Sequence, residues 1–213
     1  MPRSMPTADR LARAMGRGDE KPNVALAEEI VASGDQRATA DLVDILHNGK
    51  RAARGDAVKV LCEIAQRQPA LTAAYLPDFL TQMESSNNRL VWGSITAIAY
   101  ISQVEPVAVC ARLPEILAAA DQGSVIAKDQ AIRILATLAA SSETYGGLVP
   151  IMCERLQACA INQLPMYAEQ IAAAVAAQDR PAIARVLQQR MVDDMPPSKR
   201  KRLTKVTSQL LHR

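Results

Sequence analysis

The residues able to do chemistry are few and widely scattered. His47 and His212 are the two histidines, so a site built on both requires opposite ends of the chain to meet. The four cysteines, Cys62, Cys110, Cys153 and Cys159, form no CxxC pair. Each falls among apolar residues of helical spacing, which reads as reduced, buried thiols rather than a disulfide framework or a zinc site. Carboxylates are plentiful but dispersed, and the adjacent pairs Glu28–Glu29 and Asp193–Asp194 read as solvent-facing. No glycine-rich phosphate loop, GxSxG or HExxH occurs. Neither an enzyme nor a cofactor is the expectation, and no metal is expected.

Two groups of side chains remain. The first is a set of columns spaced by four, each on one helical face. They run Arg51, Gly55, Lys59, Glu63; then Asn88, Trp92, Thr96, Tyr100; then Val125, Asp129, Arg133, Thr137. Stacked helices would set Lys59, Thr96 and Arg133 side by side, with Trp92 and Tyr100 flanking them. Aromatic and Arg side chains amid polar ones are the material of binding hot spots, so Lys59, Trp92, Thr96, Tyr100, Asp129 and Arg133 are the candidate partner-binding residues. The second group is Lys199, Arg200, Lys201, Arg202 and Lys205, which with Arg213 and no acid make Ser198–Arg213 strongly basic. Net charge is +3, and the chain without this stretch is acidic. Such a cluster suits nucleic-acid phosphates or an acidic partner. In a eukaryotic cell it would pass for a nuclear localisation signal.

The elements that position these columns are repeats. Of the 213 residues, 49% are hydrophobic but only 3% aromatic, which suits closely packed helices better than sheets. Val58, Ile95 and Ile132 lie 37 residues apart, as do Leu61, Ile98 and Leu135. Ile64, Ile101 and Leu138 repeat the same spacing. A second mark recurs as Leu76–Pro77–Asp78–Phe79–Leu80, Leu113–Pro114–Glu115–Ile116–Leu117 and Val149–Pro150–Ile151–Met152. Leu42–Val43–Asp44–Ile45–Leu46 fits that frame without the proline, and a fainter copy occupies 167–191. A two-helix unit cannot bury its apolar stripe alone, whereas stacked neighbours bury it continuously.

Local signals place the boundaries. Helices are expected at about Lys21–Ser33, ending at Gly34, and about Gln36–His47, ending at Asn48–Gly49, both by glycine C-caps. Pro69 and Pro106 should stop the preceding helix, and Pro77 and Pro114 should make the next one open with a turn and restart. Met1–Arg17, with Arg3, Arg10, Arg13 and Arg17 against Asp9, reads as a short amphipathic helix in preference to an organelle transit peptide. Asp193–Pro197 reads as a linker, and Leu203, Val206 and Leu210 mark a closing helix from about Ser198. Every apolar run is too short to cross a membrane.

A proline-marked helix ending in Asp121, a short turn and a second helix with Ala131 and Leu135 resemble a HEAT repeat of the armadillo-like class. The resemblance covers about 21–191, is strongest in the three central units, and departs in having Lys128 near where such repeats often carry Arg. It implies an all-α, right-handed α-solenoid of about five two-helix units. Residues 1–20 would precede it and 192–213 would follow as linker and basic tail. It also implies a non-catalytic scaffold or adaptor that binds a protein or peptide on its concave side, and the reduced thiols point to the cytoplasm. The runner-up is a nucleic-acid binder using the tail with Lys50, Arg51, Arg54, Lys59 and Arg133. A distant third is the HEAT-like DNA glycosylase, which places Trp, Asp and Arg on that face. Here Thr96, not a carboxylate, stands four residues after Trp92.

Overall fold

The computed structural model describes residues 5–142, 144–192 and 195–212. Among them are twelve α-helices and no strand. The first seven are α1 (Lys21–Ser33), α2 (Gln36–Asn48), α3 (Arg51–Arg67), α4 (Leu76–Gln82), α5 (Asn88–Ile101), α6 (Pro106–Ala111) and α7 (Leu113–Gln122). Then come α8 (Val125–Ala139), α9 (Leu148–Ala158), α10 (Leu164–Ala174), α11 (Arg180–Arg190) and α12 (Pro197–His212). The chain forms two compact units, Met1–Lys128 and Asp129–Arg213, with the division inside α8. None of the helices is long and apolar enough to cross a membrane.

In the first unit α3 packs between α1 and α5, while α2 lies against α3 and α4 against α5. The 37-residue stripe is what joins them. Val58, Leu61, Ile64 and Ala65 of α3 and Ile95, Ile98 and Ile101 of α5 are all buried. Glycine sets the approach of these two helices, because a Cβ on Gly93 would lie 2.7 Å from Cγ2 of Val58. The Cys62 thiol uses that proximity to donate to the Gly93 carbonyl at 2.9 Å.

Proline and glycine act as local signals, with one exception. Gly34 caps α1 in the left-handed region, at φ 65°. Gly49 does not; its backbone is extended because the chain runs straight on into α3. What excludes a side chain there is space, since a Cβ would meet the Ile45 carbonyl oxygen at 2.5 Å. Pro69 opens two 3-10 turns before α4 restarts with Pro77 in its first turn. Pro106 opens α6, and the chain breaks at Arg112 before α7 begins with Pro114.

The amphipathic helix expected near the N-terminus is replaced by one 3-10 turn, Thr7–Arg10, and a further turn. Buried side chains take the backbone donors that a helix would use. Asn23 accepts from the Ala12 N–H at 3.0 Å and Asp56 from the Arg13 N–H at 2.7 Å. Leu11 and Ala12 are thereby held in the core.

In the second unit α12 lies beside α10 and against α11, and α11 packs on α9. Leu203, Val206, Thr207 and Leu210 of α12 are buried, each 39 residues after Leu164, Tyr167, Ala168 and Ile171 of α10. The basic stretch is thus on a helix that repeats the buried pattern of α10. Of the expected linker, Asp193 and Asp194 lie outside the described residues, while Met195 is buried. The loop before α9 is held by the Tyr145 hydroxyl, which donates to Asp179 at 2.7 Å and accepts from the Ala176 N–H at 3.1 Å.

Candidate functional site

On the first unit, α5 offers one face that is not buried. Trp92, Thr96 and Tyr100 are half-buried and share that face, whereas Val91, Gly93, Ser94, Ile95 and Ala97 are buried. Thr96 donates its hydroxyl to the Trp92 carbonyl at 2.7 Å, so the column is stitched along its own helix. On the neighbouring α3, Lys59 is half-buried and paired with Glu63 one turn on. Glu63 also takes Arg67, and Arg67 reaches Glu28 of α1 at 3.2 Å. Burial would raise the Glu63 pKa, but hydrogen bonds from Lys59 and Arg67 outweigh it and hold the carboxyl below its ordinary value.

The same face contains an ion pair that helical spacing does not reveal. Arg89 donates to Glu20 at 2.6 Å and to the Gly55 carbonyl at 2.9 Å. It therefore lies over Gly55, the member of the α3 column expected to face outward, and Gly55 is buried. Its side-chain nitrogen comes within 3.2 Å of where a Cβ on that glycine would stand.

Behind this face runs a second polar chain, linking α2, α3 and α4. Arg54 donates to the Leu46 carbonyl and to Gln82 Oε1, both at 2.8 Å. Gln82 Nε2 then meets His47 Nδ1 at 3.2 Å, and His47 Nε2 meets Asp78 at 2.8 Å. Arg54, named for phosphate contact in the nucleic-acid reading, is thus committed within the fold. Asp78 serves both the start of α4 and the histidine.

The remaining candidates lie on the second unit. Asp129 accepts the Tyr167 hydroxyl at 2.7 Å, a bond that ties α8 to α10. Burial and that carboxylate both push the Tyr167 phenol up. Arg133 follows one turn along α8, half-buried. Of the basic cluster, Arg202 makes a two-bond contact with Glu169 at 2.9 and 2.7 Å. Lys199 reaches Asn162 and Arg200 the Val192 carbonyl, while Lys201 and Lys205 are exposed. Three of the five cations therefore help to dock the helix that carries them.

All four cysteines are free, yet only Cys62 is buried; contrary to expectation the other three are half-buried, and Cys159 stands just past the end of α9 rather than within a helix. Burial pushes the Cys62 thiol up to about 12, which makes it inert at neutral pH. Among the described residues no group of three metal-ligating side chains comes together. No family model matches the sequence, and no curated protein matches it either.

Solved structures do match. A designed armadillo repeat protein superposes with a TM-score of 0.60 over 97% of this chain and 100% of its own, at 14% identity. The fold is that of the armadillo repeat proteins. An engineered protein gives a TM-score of 0.59 over 97% of both chains at 16% identity. A second engineered protein gives 0.56 over 96% of this chain and 58% of its own, at 17% identity. Spacing located the columns, but Glu20, Arg89 and Gln82 escaped it because their partners lie 28 to 69 residues away.

Proposed function

We propose that this chain is a non-catalytic scaffold of armadillo-type repeats that binds a protein or peptide partner on the face of α3 and α5. The observation that carries this reading is the half-buried Trp92–Thr96–Tyr100 column beside the Lys59–Glu63–Arg67 ion-pair network. A large aromatic surface rimmed by satisfied charges can be covered without stranding an unpaired ion. Its place of work is the cytoplasm. The test is affinity capture with wild-type and Trp92→Ala chains in parallel. A partner that Trp92→Ala loses, with helical content unchanged, supports the reading; identical capture by both chains overturns it.

A second reading, nucleic-acid binding through α12, is favoured by one observation. The second unit holds eleven basic against seven acidic residues, a net +4, with Lys201 and Lys205 exposed. Phosphate binding weakens steeply with salt, and contact through an aromatic face does not. Retention on an oligonucleotide column that salt abolishes, and that Lys201→Glu with Lys205→Glu removes, would favour this second reading.

A further inference from the structure

The polar chain behind the α3–α5 face ends on an imidazole, the side chain whose charge changes near neutral pH. His47, in the last turn of α2, is half-buried, so solvent reaches its ring. Its Nε2 meets Asp78 of α4 at 2.8 Å and its Nδ1 meets Gln82 Nε2 at 3.2 Å. Gln82 gives its other end, Oε1, to Arg54 Nη2 of α3 at 2.8 Å, and Arg54 Nε holds the Leu46 carbonyl at the same distance. Three helices therefore meet through one amide whose two ends are both in use.

This arrangement fits only a neutral ring, with Nδ1 accepting and Nε2–H donating. A second proton, taken from solvent onto Nδ1, sets N–H against the NH2 of Gln82. Gln82 is 4% exposed, so its amide cannot swing out to water. The remaining answer is to exchange its two ends. Oε1 then accepts from Nδ1–H, and the NH2 turns toward Arg54. A guanidinium has donors alone, so Arg54 Nη2 must let go. Arg54 is half-buried, and water can take up that nitrogen while Nε stays on Leu46. Nε2–H keeps Asp78, now as an ion pair. Proton uptake thus trades the α3–α4 tie for a stronger α2–α4 one.

The charges around the ring leave this exchange in command. Asp78 is the carboxylate on it, and Arg54 is the cation one amide away. Asp44, one turn earlier on α2, is exposed and held by Asn48 at 2.8 Å. Lys50 and Arg51 are exposed at the corner into α3. From α1, Glu28 and Glu29 are taken by Arg67 and Arg10. The turn at Thr7–Arg10 meets α2 at Asp41, six residues before His47, through Thr7 Oγ1.

We propose that His47, Gln82 and Arg54 form a proton-driven switch, in which a second proton on His47 turns the Gln82 amide and releases Arg54 from α4. The switch does not depend on what the α3–α5 face binds. The test is nuclear magnetic resonance on the isotope-labelled full chain between about pH 8 and about pH 5, the range in which histidine titrates. The chain has two histidines, and His47→Gln identifies the ring signals of one by their loss. At the upper pH a nuclear Overhauser contact should join the Gln82 NH2 to Hε1 of His47. It should be lost in step with arrival of the second ring proton, and the Arg54 side-chain 15N signals should move with it. In His47→Gln the Gln82 and Arg54 signals should stay fixed over the same range. Gln82→Glu offers a carboxylate that accepts from Arg54 and imidazolium together, so His47 should titrate there while Arg54 stays still. If Gln82→Glu loses its helical circular dichroism, wild type and His47→Gln decide.

Three results would overturn the switch. One is a His47 ring that gains its second proton while the contact to the Gln82 NH2 persists. Another is a ring that stays neutral, or stays doubly protonated, across the whole range in the folded chain. The third is movement of Gln82 and Arg54 in His47→Gln as large as in wild type, which would assign the response to a different titrating group.

Discussion

Gln82 is the residue whose role the hydrogen bonds define most tightly. Arg54 has only donors, so Gln82 must turn its carbonyl toward Arg54 and its NH2 toward His47. His47 Nδ1 therefore accepts, and its Nε2–H donates to Asp78. Replacing Gln82, which is buried, by Leu strands the Arg54 donor and the His47 acceptor together. Gln82→Leu should cost about 1–3 kcal/mol, read as a lower urea midpoint; an unchanged midpoint would show that the chain is decorative. Glu63 makes a prediction with a sign. Its folded pKa lies below the ordinary 4.5, so its stabilisation is present above that value and lost as pH falls through the folded one. The stability gap between wild type and Glu63→Gln should therefore be full at neutral pH and close below about pH 4.5, in a urea series against pH.

At the scale of the element, α12 separates what charge does from what packing does. Its first turns carry Lys199, Arg200, Lys201 and Arg202, where positive charge opposes the helix dipole. Arg202 recovers part of this through Glu169, but both side chains are about half exposed, so the pair contributes only about 0–1 kcal/mol. Leu203, the next residue, is fully buried. Leu203→Ala should cost about 2–5 kcal/mol and Arg202→Ala about 1 kcal/mol or less, compared by thermal or urea unfolding. Equal effects would mean that the helix is held by its ion pair. The sequence made the periodicity of α12 legible, since Leu203, Val206 and Leu210 mark one face. Its correspondence to α10 was not, because the offset is 39 rather than 37 and two prolines precede it.

For the whole molecule, what is legible follows from how each interaction is encoded. Apolar stripes repeat at fixed spacing, so the three central units could be read directly, and armadillo-type structures superpose on nearly the whole chain. The clamps between elements join residues far apart in sequence, such as Glu20 with Arg89 or Tyr145 with Asp179, and no spacing encodes them. The same distinction governs how damage should spread. In a repeat array each repeat contacts its neighbours alone, so a core lesion at one helix is felt first by the helices packed on it. Leu61 is fully buried on α3, which packs on both α1 and α5. Leu61→Ala should remove about 2–5 kcal/mol. Amide hydrogen exchange should then quicken first in α1, α2, α3 and α5, and least in α12. If protection falls evenly along the chain, the molecule unfolds as one cooperative body and the nearest-neighbour description of its stability fails.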